Sequence, residues 1–316
     1  MVRTSTAERY NYICPECGDG LKQDRKGRGF VAHASNPNCQ FEKGQKDDDG
    51  SPSATASMTR QVPMPEYQLA DGVRLCGYSE RGIFNALLYE IGYSSDPVGK
   101  LAGLLSLVGF PYSQADFSQL RGAEVLIEQS LSDFGDADAV LLLHGDDWRS
   151  VMFVEGKVKS YQVGSWTVQG AWREFLSRKD GKLHSSNLFT QLWHKVRFVN
   201  ALRRGGIPEL DRGVAFPDCS TKTTRKLGNN QVVGNAARII KKFVKDAHYI
   251  AVVPDSSENV AEFYANELPS GPPDDVAGWD ITGWGYLTWA QVEAFCRGNG
   301  LLNTIRVFDF NRGQIY

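Results

Sequence analysis

The sequence predicts an α/β domain preceded by a small metal-dependent unit, and three observations carry that expectation. Apolar residues run at helical spacing over 79–93, give way to short runs rich in β-formers at 136–144 and 150–164, and return to helical spacing over 231–245. Residues 10–44 hold three of the six Cys. Between these parts lies KGQKDDDGSPSATASMTRQ (43–61), nearly free of large apolar side chains, which reads as a linker. The expected organisation is a Cys-bearing unit over 1–44, a linker over 45–73 and an α/β domain over 74–316.

Composition excludes several classes. At 316 residues, 41% hydrophobic and 23% charged, the chain can bury a large core and is not wholly disordered. No stretch reaches about 18 consecutive apolar residues, so no membrane span is expected. The first 25 residues lack an apolar signal core, which predicts a cytoplasmic protein. Six Cys are too sparse for a disulfide scaffold. A net charge of −2 shows no overall affinity for polyanions, so nucleic-acid binding must rest on local patches.

SERGIFNALLYEIGY (79–93) places Ile83, Phe84, Leu87, Leu88 and Ile91 on one helical face. Residues 97–108 and 121–132 also show helical spacing. DADAVLLLH (136–144) and SVMFVEGKVKSYQVG (150–164) read as a β-meander joined by the turn cluster HGDDWRS. A helical insertion is expected over about 165–230, carrying Trp166, Trp172 and Trp193. An amphipathic helix over 231–245 then leads into the apolar strand HYIAVVP (248–254). The acidic stretch 256–285 reads as loop, LTWAQVEAFCRGNG (287–300) as a helix ended by Gly, and TIRVFDF in the tail as a strand.

Cys14 and Cys17 form a CPEC knuckle, followed after fifteen intervening residues by His33 and then by Cys39. Three thiolates and one imidazole are the tetrahedral set that Zn²⁺ prefers, and in so short a unit the metal replaces a core. The run CPECGDGLKQDRKGRGFVAHASNPNCQF resembles the zinc ribbon of the C-terminal fingers of type I topoisomerases, from which it departs at His33, where that family usually has Cys. The resemblance implies DNA binding, with Lys22, Arg25, Lys26 and Arg28 as phosphate contacts. A structural zinc unit with no binding role is the competing expectation.

The sharper chemistry lies in the meander. Asp138 opens one strand, and Glu155 and Lys157 stand near the end of the next, where residues two apart project to the same face. Two carboxylates suit a hard cation such as Mg²⁺, and a neighbouring Lys suits activation of water and stabilisation of developing charge. Asp133 and Asp136 are rivals for the Asp138 position, though only Asp138 abuts the apolar run. Ala137-Asp138 followed by Glu155-Gly156-Lys157 resembles the PD-(D/E)xK, or restriction-endonuclease-like, nuclease superfamily, with Ala in place of the usual Pro. The resemblance implies an α-β-β-β-α-β core of mixed sheet with flanking and inserted helices, and Mg²⁺- or Mn²⁺-dependent hydrolysis of phosphodiesters. It also implies a metal-reaching Glu in the first helix. At about 100° per residue Glu80 is centred on the apolar face of that helix and Glu90 lies roughly 80° aside, which selects Glu80.

A basic segment supports a polyanionic substrate. Between Lys195 and Lys245 twelve Lys or Arg stand against three acids, a net of +9, while 255–280 carries seven acids and no Lys or Arg. Arg225 and Lys226, and Arg238, Lys241, Lys242 and Lys245 at three- and four-residue steps, are the expected phosphate contacts. A solvated helix face is the bland alternative for the last four. The expected function is a metal-dependent DNA endonuclease of restriction, antiphage defence or repair. A non-catalytic nucleic-acid-binding adaptor and an RNA-directed nuclease stay open as alternatives. Cleavage of both strands needs two active sites and so points to a homodimer, and a partner subunit or activating ligand is compatible with the chain.

Overall fold

The computed structural model describes residues 76–159, 166–177, 185–215, 223–270 and 281–311, together with three short strands near the N-terminus. The chain divides into two units, residues 1–74 with 159–165, and residues 75–158 with 166–316. In the first unit β1 (Tyr12–Ile13), β2 (Gly20–Gln23) and β3 (Phe30–Ala32) form an antiparallel sheet in that order. Cys14, Cys17, His33, Cys39, Arg25, Lys26, Arg28 and the linker over 45–73 lie outside the described residues, as does the side chain of Lys22 in β2.

The second unit is a mixed α/β layer structure. In chain order it runs α1 (Ser79–Gly92), α2 (Pro97–Leu105), β4 (Gly122–Ser130), β5 (Asp136–His144), β6 (Arg149–Gly156), α3 (Val168–Ser177), α4 (Leu188–Arg204), α5 (Ile207–Arg212), β7 (Val214–Ala215), β8 (Thr224–Arg225), α6 (Gln231–Ile240), β9 (Asp246–Val253), α7 (Ser257–Asn266), β10 (Trp284–Thr288), α8 (Trp289–Gly298) and α9 (Leu302–Phe310). Five strands form one sheet in the order β10-β9-β6-β5-β4. β4, β5 and β6 are antiparallel neighbours, whereas β6, β9 and β10 run parallel. Parallel neighbours need crossovers, and α3 to α6 supply the first and α7 the second.

Burial explains why these segments adopt these forms. Val140 and Leu142 of β5 join the core beneath α3, α4, α6 and α7, while Ala139, Leu141 and Leu143 join the core beneath α1, α2, α8 and α9. With both sheet faces covered, the middle of β6 reads as the continuous apolar run VMFV, every residue of it buried. Helix α4 begins at Asn187, whose Oδ1 accepts from the N–H groups of Phe189 and Thr190 at 3.0 and 3.3 Å.

Four expectations are corrected. Residues 121–132 are the edge strand β4, not a helix: Val125 and Ile127 pack on one sheet face and Leu126 on the other, a period of two hidden inside an apolar triplet. TIRVFDF lies in α9, not in a strand, because Glu90 from α1 caps it, its carboxylate accepting from the N–H groups of Asn303 and Thr304 at 3.1 and 2.8 Å. Within 256–285 the described residues contain α7, capped by Ser256, and the start of β10. The helix expected over 231–245 ends at Ile240 as α6 and lies against β4, while α4 of the expected insertion packs directly on β6 and β9.

Candidate active site

The register of β5 against β6 assembles the site. Ala139 pairs with Val154, so one step outward Asp138 stands opposite Glu155. Directly opposed residues of an antiparallel pair share a face, and Lys157, two residues beyond Glu155, points the same way. In place of a ladder bond, Asp138 Oδ2 accepts from the Gly156 N–H at 2.7 Å. The Lys157 backbone is held on both sides, its N–H donating to Val252 O at 2.8 Å and its carbonyl accepting from Trp289 Nε1 at 2.6 Å.

Helix α4 faces these strand residues with two partners that the sequence reading did not place in the site. The Lys195 ammonium lies 2.8 Å from Glu155 Oε1 and donates to the Phe134 and Asp136 carbonyls at 3.2 and 3.1 Å. Both side chains of that pair are shut from solvent, Lys195 at 0% and Glu155 at 1% exposure. One turn earlier, Gln191 Oε1 accepts from the Lys157 ammonium. The match is metric: two residues along a strand span about 6.6 Å and four along a helix about 6.0 Å. A Gln and a Lys four apart on an apolar helix, following an E-x-K strand, is the signal that could have found them.

Glu80 reaches the same place from the opposite sheet face. It stands in the first turn of α1, with the Ser79 hydroxyl donating to its carboxylate, and approaches β6 at Gly156. A Cβ at Gly156 would lie 2.7 Å from Phe84 Cε2 and 3.0 Å from Glu80 Cβ, so only Gly lets the helix close on the strand here. Glu80, Asp138, Lys157, Gln191, His194 and Arg225 line one cleft. Glu90 instead caps α9, which explains why it is not the acid in the cleft.

Electrostatics mark Asp138. Burial, and next the charge of Glu155, push its carboxyl up to about 7, with Glu80 adding to the rise and the Gly156 N–H and Lys157 opposing it. His194 is held well below the usual imidazole range, first by burial and then by Arg225, Lys195 and Arg197, so it is neutral at pH 7. Backbone strain gathers here too. The three non-glycine residues with positive φ among those described are Ser79 beside Glu80, Glu128 in register opposite Asp138, and Ser132 in the cleft wall. Such conformations cost about 1–3 kcal/mol each and concentrate at functional sites.

The donor set suits a hard divalent cation. Asp138 and Glu80 face the cleft, and the buried oxygens of Glu155 make no hydrogen bond, Oε1 being held by the ion pair with Lys195. Among the described residues no group of three or more Asp, Glu, His or Cys is gathered tightly enough to hold a metal ion, and Glu155 is turned to Lys195. Asp133 and Asp136 line the same cleft as Asp138. The carboxylate of Asp133 accepts from the Lys226 N–H at 2.9 Å and its carbonyl from Arg225, while Asp136 lends its carbonyl to Lys195.

The basic segment is only partly a surface. Lys195 is buried in the site, Arg203 donates to the Val244 and Lys245 carbonyls, and Arg204 and Arg212 pair with Glu209. Arg225 lines the cleft, whereas Lys226, Arg238, Lys241, Lys242 and Lys245 are exposed outside it. No protein-family model, no curated protein and no solved structure matches the chain.

Proposed function

We propose that this chain is a metal-dependent nuclease that hydrolyses phosphodiester bonds of DNA. The observation that carries the reading is the convergence of Asp138, Glu155 and Lys157 in register at one sheet end, with Glu80 delivered over Gly156 from another element. Three groups from three elements, Glu80, Asp138 and Lys157, line one cleft with Glu155 buried beside it, which is more than an E-x-K strand gives by chance, and the α-β-β-β order around the site supports the reading.

Asp138 and Glu80, which line the cleft, would hold Mg²⁺ or Mn²⁺, and Glu155 would join them only by exchanging Lys195 for the ion. When bound, such an ion polarises a phosphoryl oxygen and lowers the pKa of a coordinated water. Lys157, fixed by Gln191 and by its two backbone bonds, keeps a cation beside the carboxylates, where it orients the attacking water and offsets the negative charge that grows on the phosphorus oxygens. Arg225 in the cleft wall provides a phosphate contact for the substrate strand, and the exposed cations from Lys226 to Lys245 extend the attraction outward. The N-terminal unit, with Zn²⁺ on Cys14, Cys17, His33 and Cys39, adds a tethered second contact that raises the local concentration of DNA.

One observation favours a second reading, a nucleic-acid-binding adaptor without catalysis: Glu155 is locked to Lys195 rather than turned to the cleft. Incubation of supercoiled, linear and single-stranded DNA and of RNA with wild type and Glu155→Ala, each in Mg²⁺, Mn²⁺ or EDTA, separates the two. Metal-dependent cutting of DNA that disappears in the variant is the expected result. Binding without cutting in every condition replaces the nuclease by the adaptor, and cutting confined to RNA moves the substrate class.

A further inference from the structure

We propose a second binding site, at the opposite end of the sheet from the cleft, that takes a small zwitterion of the free α-amino-acid class. Its origin is a mismatch of strand lengths. β9 begins at Asp246, but β10 pairs with it only from Tyr249 onward, so Asp246, Ala247 and His248 have β6 on one side and no β10 residue on the other. A cavity of about 160 Å³ opens there, bounded by Val196, Asn200 and Arg203 at the end of α4 and by Ser113, Thr282 and Gly283. The last of these must be glycine, since a Cβ there would collide with the Ala247 carbonyl oxygen.

The charges of the lining select the ligand. Arg203 and Asp246 are its one guanidinium and its one carboxylate, and each is held by other groups. The Arg203 guanidinium donates to the Val244 and Lys245 carbonyls at 2.6 and 3.2 Å, whereas Asp246 Oδ2 meets His248 Nε2 at 3.3 Å. The hydrogen bond with His248 first, and the Arg203 charge in addition, hold the Asp246 carboxyl below the usual carboxylate range, so it is ionised at pH 7. A fixed cation and a fixed anion around a small cavity offer little to a simple ion. They match a molecule with a carboxylate at one end and an ammonium at the other. The ligand carboxylate would face Arg203 and the carboxamide of Asn200, and its ammonium would face Asp246, whose side chain is 61% exposed at the mouth. The lining is also short of partners, since the buried Ser113 Oγ and His248 Nδ1 make no hydrogen bond. At about 30 Å³ for each water the cavity has room for about five, which limits the ligand to the smaller amino acids.

Calorimetric titration of the full chain with glycine, alanine, serine, threonine, proline and asparagine tests the assignment, with propionate and ethylamine as probes that carry one charge each. At least one of the amino acids is expected to bind with a Kd of about 1 mM or lower, and about tenfold or more tightly than either single-charge probe. Asp246→Asn keeps the size of the side chain and removes the partner of the ammonium, and it is expected to weaken that binding about tenfold or more. Where this variant does not fold, Asn200→Ala, which strips a contact from the carboxylate, is read in its place and is expected to weaken binding in the same direction. Absence of saturable binding by all six amino acids assigns the cavity to water and overturns the proposal. Equal affinity for propionate or ethylamine overturns it as well, as does a variant that binds like wild type. Each of these results leaves the nuclease reading standing, since neither Asn200 nor Asp246 lines the cleft.

Discussion

Glu155–Lys195 and Arg121–Asp146 are ion pairs of nearly equal length, 2.8 and 2.9 Å, in opposite surroundings. The first is shut from water; the second joins side chains that are 58% and 68% exposed. Water screens the exposed pair and replaces either partner when it is lost, so its net worth is small even with the bidentate contact Arg121 makes to Asp146. The buried pair was costly to desolvate and is not by itself an argument for stability, but neither partner can be removed without stranding the other. Distance alone therefore says little about an ion pair. What decides is whether a deserted charge can find water.

The largest expected effect tests that contrast directly. Lys195→Met should lower stability by about 3–5 kcal/mol in urea unfolding at pH 7, the cost of one unpaired buried charge. Lys195→Met/Glu155→Met should recover most of the loss, and a double variant no more stable than the single would break the comparison.

Gly156→Ala comes next. Its Cβ would press on Phe84 and Glu80, so a loss of about 1–3 kcal/mol is expected, together with weaker Mn²⁺ binding as Glu80 is displaced. An unchanged melting temperature with unchanged Mn²⁺ affinity would show that α1 does not close on β6 here.

Asp138 sharpens the comparison through pH. Its folded-state pKa of about 7 lies above the usual value of about 3.9. Between these values the folded chain keeps a proton that the unfolded chain has released. The stabilisation is therefore complete below about pH 4 and is lost as pH rises through about 7. Metal-free wild type should become less stable across that window, and Asp138→Asn, which cannot ionise, should flatten the slope in melts from pH 4 to 8. The same proton competes with Mn²⁺, so affinity should climb with pH up to about 7 and then level. The smallest effect belongs to the surface pair: Arg121→Ala should leave the urea midpoint almost unchanged, and any residual difference should vanish in 1 M salt.

Legibility in the sequence followed the range of the interactions. The helix α1 and the strands β5, β6 and β9 were readable because their periods are local and their faces are cleanly buried. β4 was not, since an edge strand is half-exposed on both faces and its VLI triplet fits a helix as well as a ladder. The two basic residues Arg225 and Lys195 looked alike in a charge count, yet one lines the cleft and the other is buried beneath it.

The sequence by itself determined which residues could act: an Asp at the head of one apolar strand, an E-G-K at the end of the next, and a Glu on the inner face of the helix before them. Tertiary structure alone decided how they are engaged. Glu155 answers to Lys195, Lys157 to Gln191, and Glu90 leaves the site to cap a helix more than two hundred residues away. The physical reason is that periodicity records which way a side chain faces, whereas the partner of a buried charge is set by whatever the fold packs against that face.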